Sequence, residues 1–201
     1  AVNASFEILF YNDTSVALDT TIFQQSAVNN VSSTELRINT LPSGAIRITK
    51  GGTSISILTP SSPALGLGHW SVKYDAGTGD NIISKYNTAT DQYDIINTIN
   101  SATGAAREPA AGIVIANNLD GSHPDVGVMA DVKMFIDGDR NTGTLVLDMP
   151  INDNSTIIKD NSVTAINGTL TAGTGSWFEV CEGDSDWIDS EGWIDSEEWV
   201  D

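Results

Sequence analysis

Basic residues are scarce in this chain. Nine lysines and arginines stand against 27 aspartates and glutamates, giving a formal charge of −18 over 201 residues. Nucleic-acid binding depends on Lys and Arg neutralising phosphates, so DNA and RNA are excluded as direct partners, and anionic membranes are disfavoured on the same ground. Cysteine is almost missing: Cys181 stands alone, which rules out an intrachain disulfide framework. No long apolar run occurs either. The strongest, "GIVIA" at 112–116, falls far short of the about 20 residues a spanning helix needs.

Catalytic signatures are equally thin. The two histidines, His69 and His123, have no zinc-site spacing. No Gly-x-Ser-x-Gly elbow and no phosphate-cradling Gly-x-x-x-x-Gly-Lys is present. Of eight glutamates, five lie at or beyond Glu179, which leaves few candidates for a glycosidase pair. A non-enzymatic protein is the expectation.

Period-two alternation dominates what is there. In "AIRITKGGTSISIL", Ile46 and Ile48 alternate with Arg47 and Thr49, Gly51-Gly52 supply a two-residue turn, and Ile55 and Ile57 answer across it. "VTAINGTLTA" predicts a second hairpin turning at Asn167-Gly168, with Ala165 facing Leu170. In "VGVMADVKMFI", Val126, Val128, Ala130, Val132, Met134 and Ile136 share one face of a long strand, and "GTLVLDM" places Leu145, Leu147 and Met149 inward. In "AVNASFEILFY", Val2, Ala4, Phe6, Ile8 and Phe10 predict a first strand of the home sheet. Further strands are expected at 35–41, 70–74, 81–86, 93–99, 112–116 and 176–181. The best helical window, Val16–Val28, is weakened by Thr20-Thr21-Ile22, because β-branched residues lose χ1 freedom in a helix. Many short strands broken by Gly, Asn, Ser and Pro predict an all-β fold: a single β-sandwich, jelly-roll or Ig-like, over residues 1–182.

Residues 183–201 read differently. The closing "DWIDSEGWIDSEEWVD" repeats Trp187, Trp193 and Trp199 six residues apart, and 179–201 hold ten acidic and no basic side chains. A helix would scatter the tryptophans, each rotated by about 240° from the last. A strand sorts them: Ile188, Ser190, Gly192, Ile194, Ser196 and Val200 fall on one face, while the rings and most of the charge fall on the other. Extended, Trp187–Asp201 would span roughly 45–50 Å at about 3.3 Å per residue. That exceeds the roughly 17–20 Å of an ordinary strand, and favours a neighbouring subunit as the holder by β-augmentation. Trp187, Ile188, Gly192, Trp193, Ile194, Trp199 and Val200 are then the interface.

One loop has metal-ligand spacing. "DGDRNTGTLVLD" sets Asp137, Asp139 and Asn141 at alternate positions and Asp148 eleven residues past the first. Alternating oxygen donors can wrap Ca²⁺, which takes six to eight oxygens. The same residue types are also what a solvated turn uses. A second oxygen-rich stretch, Asn118, Asp120 and Asp125, reads as a turn at Asp120-Gly121. "GLGHW" at 66–70 offers Trp70 either as an aromatic platform or as a core residue.

Two functional expectations follow from different classes. The first is a self-assembling structural subunit of an extracellular filament, matrix or surface layer, or of a virion, joined by strand exchange and calcium-stabilised: a homo-oligomer or polymer. The second is a calcium-dependent carbohydrate-binding β-sandwich module, with a glycan as partner. A basic protein docking on the acidic tail is a third partner class. An extracellular or virion-surface location suits all of these. Five Asn-x-Ser/Thr sequons, at Asn3, Asn12, Asn30, Asn154 and Asn167, occur in a chain rich in those residues and do not decide glycosylation.

Overall fold

The computed structural model describes residues 4–13, 19–25, 36–42, 45–51, 53–58, 66–101, 113–116, 129–150, 157–162 and 168–169. The chain divides into two units, Ala1–Thr171 and Ala172–Asp201. The second, which holds all seven interface residues predicted for the tail together with Cys181 and the expected strand at 176–181, lies outside the described residues. Every described element is a β-strand, and no helix long and apolar enough to cross a membrane occurs among the described residues.

Strands β1 (Phe6–Asp13), β6 (Leu67–Asp75), β7 (Asp80–Asn87), β8 (Gln92–Asn100), β10 (Met129–Ile136) and β11 (Thr144–Met149) form one antiparallel sheet, in the order β11-β10-β1-β6-β7-β8. The second sheet has five strands in the order β5-β4-β3-β2-β9, from β2 (Thr21–Gln25), β3 (Leu36–Thr40), β4 (Ile46–Lys50), β5 (Thr53–Leu58) and β9 (Ile113–Ile115). A small pair joins β12 (Ile157–Ile158) to β13 (Gly168–Thr169). One core unites the two large sheets. Phe6, Ile8, Phe10, Trp70, Val72, Tyr74 and Ile83 from the first pack with Ile22, Phe23, Leu36, Ile38, Ile46 and Ile48 from the second. The fold is therefore the expected all-β sandwich. Each fully buried side chain of this kind contributes about 1.5–3 kcal/mol.

Alternation explains most of the strands. Phe6, Ile8 and Phe10 are buried as a row in β1, which sits inside the sheet between β10 and β6, so this segment is the home-sheet strand its pattern predicts. The Gly-Gly hairpin forms as read at its turn, where Lys50 pairs with Thr53 and Ile48 with Ile55 and Gly51 takes a φ of +53°, but a register shift then sets Ile46 level with Leu58, not Ile57. The Val16–Val28 window holds strand β2 instead of a helix. Its β-branched Thr21-Ile22 favours the pleated surface, and a register shift opposite β3 lets the neighbours Ile22 and Phe23 both enter the core.

Two further shifts overturn finer expectations. Leu9 pairs with Lys133 but Tyr11 with Ala130, so Asp131 and Val132 oppose Phe10 alone, and Asp131 adopts a φ of +47°. This β-bulge moves Ala130 to the outer side with Tyr11, away from the face of Val132 and Met134. On β11, Met134 pairs with Leu147 but Phe135 with Leu145, so Val146, not Leu145, packs against the core. The Asn167-Gly168 turn is also not as expected. Gly168 is already a strand residue paired with Ile158, and the rest of that hairpin lies outside the described residues.

Lys50 is the unusual member of the core rim. It follows Ile46 and Ile48 on the inward row of β4 and is completely buried. Its Nζ lies 3.3 Å from the centre of the Tyr74 ring and donates to the Ser101 carbonyl at 3.2 Å. Burial pulls its pKa down to about 8 from 10.5. Between those two values the unfolded chain holds a proton that the folded chain has released. The burial cost is therefore fully present below pH 8, and stability rises as pH climbs towards 10.5. Lys50→Met removes the buried charge and should stabilise the fold by about 1 kcal/mol near pH 7. Urea unfolding at pH 7.5 and 10 tests this: wild type should gain stability over that interval, and a variant with the same gain would refute the assignment.

Candidate functional site

The outer face of the six-stranded sheet carries the candidate site. Pairing places side chains from four strands in transverse rows. One row runs Glu7–Lys73–Ile82–Thr98, and the next Leu9–Ser71–Ser84–Ile95. A third is aromatic. Tyr11 and His69 are register partners with rings 4.7 Å apart, His69 and Tyr86 follow at 6.2 Å, and Tyr86 and Tyr93 at 5.3 Å. Trp70 faces the other way. It is fully buried, its Nε1 donates to the Gly66 carbonyl at 3.3 Å, and it is a core residue, not a platform.

The hairpin between β10 and β11 overhangs these rows and makes a groove of about 690 Å³, lined among others by Ser71, Ser84, Tyr93, Ile95 and Arg140. Ile95 is the large apolar side chain that stands out, 65% exposed on the groove floor. The hairpin is built for tightness. Asp137 takes a φ of +59°, and Gly143 donates its N–H to the Asp139 carbonyl at 2.6 Å. A Cβ on Gly143 would lie 2.9 Å from two carbonyl oxygens, so no side chain fits there.

Two ion pairs tie the hairpin down. Glu7, almost wholly buried in β1, accepts from the Arg140 backbone N–H at 2.7 Å and from its Nε at 3.1 Å and 3.2 Å. It also accepts from Arg140 Nη2 in a shorter contact and from Ser71 Oγ at 2.5 Å. The guanidinium carbon then lies 3.7 Å from the centre of the Tyr93 ring. Burial raises the Tyr93 hydroxyl to about 12 against the lowering effect of Arg140, so it stays a protonated donor at working pH. In the second pair, Lys73 Nζ sits 2.6 Å from Asp139 Oδ2.

The four predicted calcium ligands part company here. Asp137, Asp139 and Asn141 share the hairpin, with Asp137 and Asn141 exposed. Asp139 already serves Lys73 on one oxygen, and on the other the Asn141 N–H at 3.0 Å and the Thr142 hydroxyl at 2.9 Å. Asp148 lies four residues along β11 from Thr144, about 13 Å from the hairpin base at 3.3 Å per residue. There it pairs with Lys133 at 3.2 Å, and its N–H donates to Asp160 at 2.9 Å. Among the described residues no group of three His, Cys, Asp or Glu side chains could hold a metal ion. The alternating spacing is accounted for by the turn: Asp139 caps two donors of its own hairpin. Asn118, Asp120 and Asp125 lie outside the described residues.

The Lys73 bond, helped by the turn donors, pulls the Asp139 pKa down to about 2 from 3.8. A depressed carboxylate contributes stability above its unfolded value and loses it as pH falls through the folded one. Asp139→Asn keeps the turn acceptor but drops the charge. It should cost about 1 kcal/mol at pH 6, a modest figure because the pair is partly solvated, and the cost should shrink steadily below pH 4 to a small fraction by pH 2. Chemical unfolding of both proteins across that range reads the difference, and a gap as large at pH 2 as at pH 6 would contradict the charge argument.

Glu7, Ser71, Tyr86, Tyr93 and Arg140 were not identifiable as site residues from their sequence positions. Glu7 and Arg140 are 133 residues apart, and only strand register brings the polar sides of four strands together. A usable signal was the Tyr86/Tyr93 pair, set symmetrically about the turn between β7 and β8.

No family model and no curated protein matches the chain. Among solved structures it is similar to a native heptameric SAP-like pentraxin from Limulus polyphemus, with 14% sequence identity and a TM-score of 0.45. The match covers 65% of this chain and spans 63% of the length of that one. The likeness is one of backbone trace.

Proposed function

We propose that this protein is a non-enzymatic carbohydrate-binding β-sandwich whose ligand lies in the groove on the outer face of the six-stranded sheet. The observation that carries the reading is the overhanging hairpin, pinned by Glu7–Arg140 and Lys73–Asp139 above a floor of hydroxyls, tyrosines and one exposed isoleucine. Sugars present alternating C–H faces and hydroxyl edges, and such a floor offers both kinds of contact. Glu7 and Asp139, two of the three carboxylates lining the groove, are each held by a cation and several donors, which disfavours them as a free acid and base. Calcium is not required by this reading, because Asp139 is already neutralised by Lys73.

The test is a panel of immobilised glycans probed with full-length protein and with Ile95→Asp, in calcium and in chelator. Binding that is lost in Ile95→Asp and indifferent to chelator is the expected result. Failure of wild type to bind any glycan would remove the proposal.

Assembly by strand exchange has one observation in its favour. Strand β8 is a nine-residue sheet edge with no Pro or Lys, and among the described residues β7 is its one hydrogen-bonded neighbour. Such an edge is a template for an added strand. Deleting 187–201 should then leave the β-rich fold intact and reduce the solution mass measured by light scattering; an unchanged mass would end this reading.

A further inference from the structure

Arg140 is held in an unusual way. A guanidinium has five N–H donors arranged as two usable edges. Glu7 takes the Nε–Nη2 edge, and the Tyr93 ring supports the plane. The opposite edge, formed by Nη1 and the second hydrogen of Nη2, has no hydrogen-bond acceptor among the described residues. The side chain is 26% exposed and lines the groove, so that edge is a pre-oriented, partly solvated fork presented to whatever enters.

We propose that Arg140 orients the bound sugar, its Nη1–Nη2 edge donating to two adjacent ring hydroxyls, and that the ligand is a neutral glycan. This deepens the carbohydrate reading and rests on it. Pre-organisation supports the role: Glu7 and Tyr93 already fix the rotamer, so little side-chain entropy is lost when the ligand arrives. Vicinal hydroxyl oxygens are spaced to meet two parallel N–H bonds, while the C–H face of the same ring can rest on Ile95.

Charge decides between neutral and acidic sugars. Glu7 cancels Arg140, Asp139 cancels Lys73, and Asp91 remains on the rim of the same groove, on a chain of net charge −18. A uronate entering this groove meets no unbalanced cation and at least one unbalanced anion. The fork therefore acts as a donor pair for neutral oxygens more than as an anion trap.

The experiment compares wild type, Arg140→Lys and Ile95→Asp by calorimetry. Cellohexaose and mannohexaose serve as neutral probes, forms lacking one oxygen of each vicinal hydroxyl pair as controls, and hexagalacturonate as the acidic probe. Lysine keeps the charge but loses the fork. Wild type should prefer a complete hexasaccharide over its deoxy form by tenfold or more, and Arg140→Lys should bring that ratio to within about twofold. A ratio does not depend on how much of the variant is folded, so partial destabilisation does not blur the result. An unchanged ratio in Arg140→Lys, with binding still lost in Ile95→Asp, overturns the role of Arg140 and leaves the groove reading standing. Tighter binding of hexagalacturonate than of either neutral probe overturns the neutral class. If wild type binds none of the probes, both proposals fall.

Discussion

Glu7→Gln should destabilise the protein by about 3 kcal/mol, the cost expected when one partner of a buried ion pair is removed and the other is left behind. The side chain of Glu7 is 2% exposed and accepts from Ser71, from the Arg140 backbone and from both Nε and Nη2 of the guanidinium. An amide of the same shape keeps one acceptor oxygen. Its NH₂ group, however, must point at an N–H donor, and the guanidinium loses its counter-charge. Arg140 is partly solvated, which keeps the cost near the lower end of the usual range. Urea denaturation reads the loss, and hydrogen exchange should localise it to residues 137–143. A double variant, Glu7→Leu with Arg140→Met, should recover part of the stability, because no charge is then stranded. Equal stability for Glu7→Gln and wild type would mean that the pair contributes nothing to holding the hairpin.

Trp70→Ala should have a comparable or larger effect, about 3–5 kcal/mol. The indole is fully buried at the centre of the core, and its N–H has a backbone acceptor in Gly66. Lys85 Nζ also lies 5.2 Å from its ring centre on the same side of the sheet. Truncation opens a cavity beside β6, whose ladders to β1 and β7 run without a register shift, so collapse around it is limited. Trp70→Phe fills most of that space and should cost less than half as much. A shift of under 1 kcal/mol for Trp70→Ala would instead suit an exposed platform residue. Glycan binding by Trp70→Phe should match wild type, since this side chain faces away from the groove.

These two residues illustrate how far the chain could be read without coordinates. Trp70 sits in a strand whose alternation places it with Val72 and Tyr74, and that local pattern is enough to put it inside. The same holds for Phe6, Ile8 and Phe10 and for the Gly51-Gly52 hairpin, where the information lies within a few residues. Glu7 is different. Alternation places it on the outer face, but its meaning depends on Arg140, brought to it by a bulged strand pair from the far end of the domain. Alternation failed at Ala130 and Leu145 for a related reason. A one-residue shift reverses every later side chain, and composition does not announce where such a shift occurs. The aspartate-rich hairpin was visible as a special turn, yet its spacing pointed to Asp137, Asp139, Asn141 and Asp148, while the arginine between two of them is the side chain that lines the groove and pairs with buried Glu7.

The bulge opposite Phe10 lets β10 change length at one point without losing its register. Upstream of Asp131 the register puts Met129 level with Asn12 and Ala130 level with Tyr11; downstream it puts Lys133 level with Leu9 and Met134 level with Ile8. Changing the side chain at Asp131 alters one residue whose backbone already lies at positive φ, where Asn or Gly would sit with less strain. Losing that residue altogether would remove the bulge and leave Val132 alone opposite Phe10, with Ala130 still level with Tyr11 and Lys133 still level with Leu9. Among related chains, position 131 should therefore be confined to residues that accept positive φ wherever it is present, and a chain that lacks it should keep the register on either side, a pattern that aligned sequences would record as a gap one column wide.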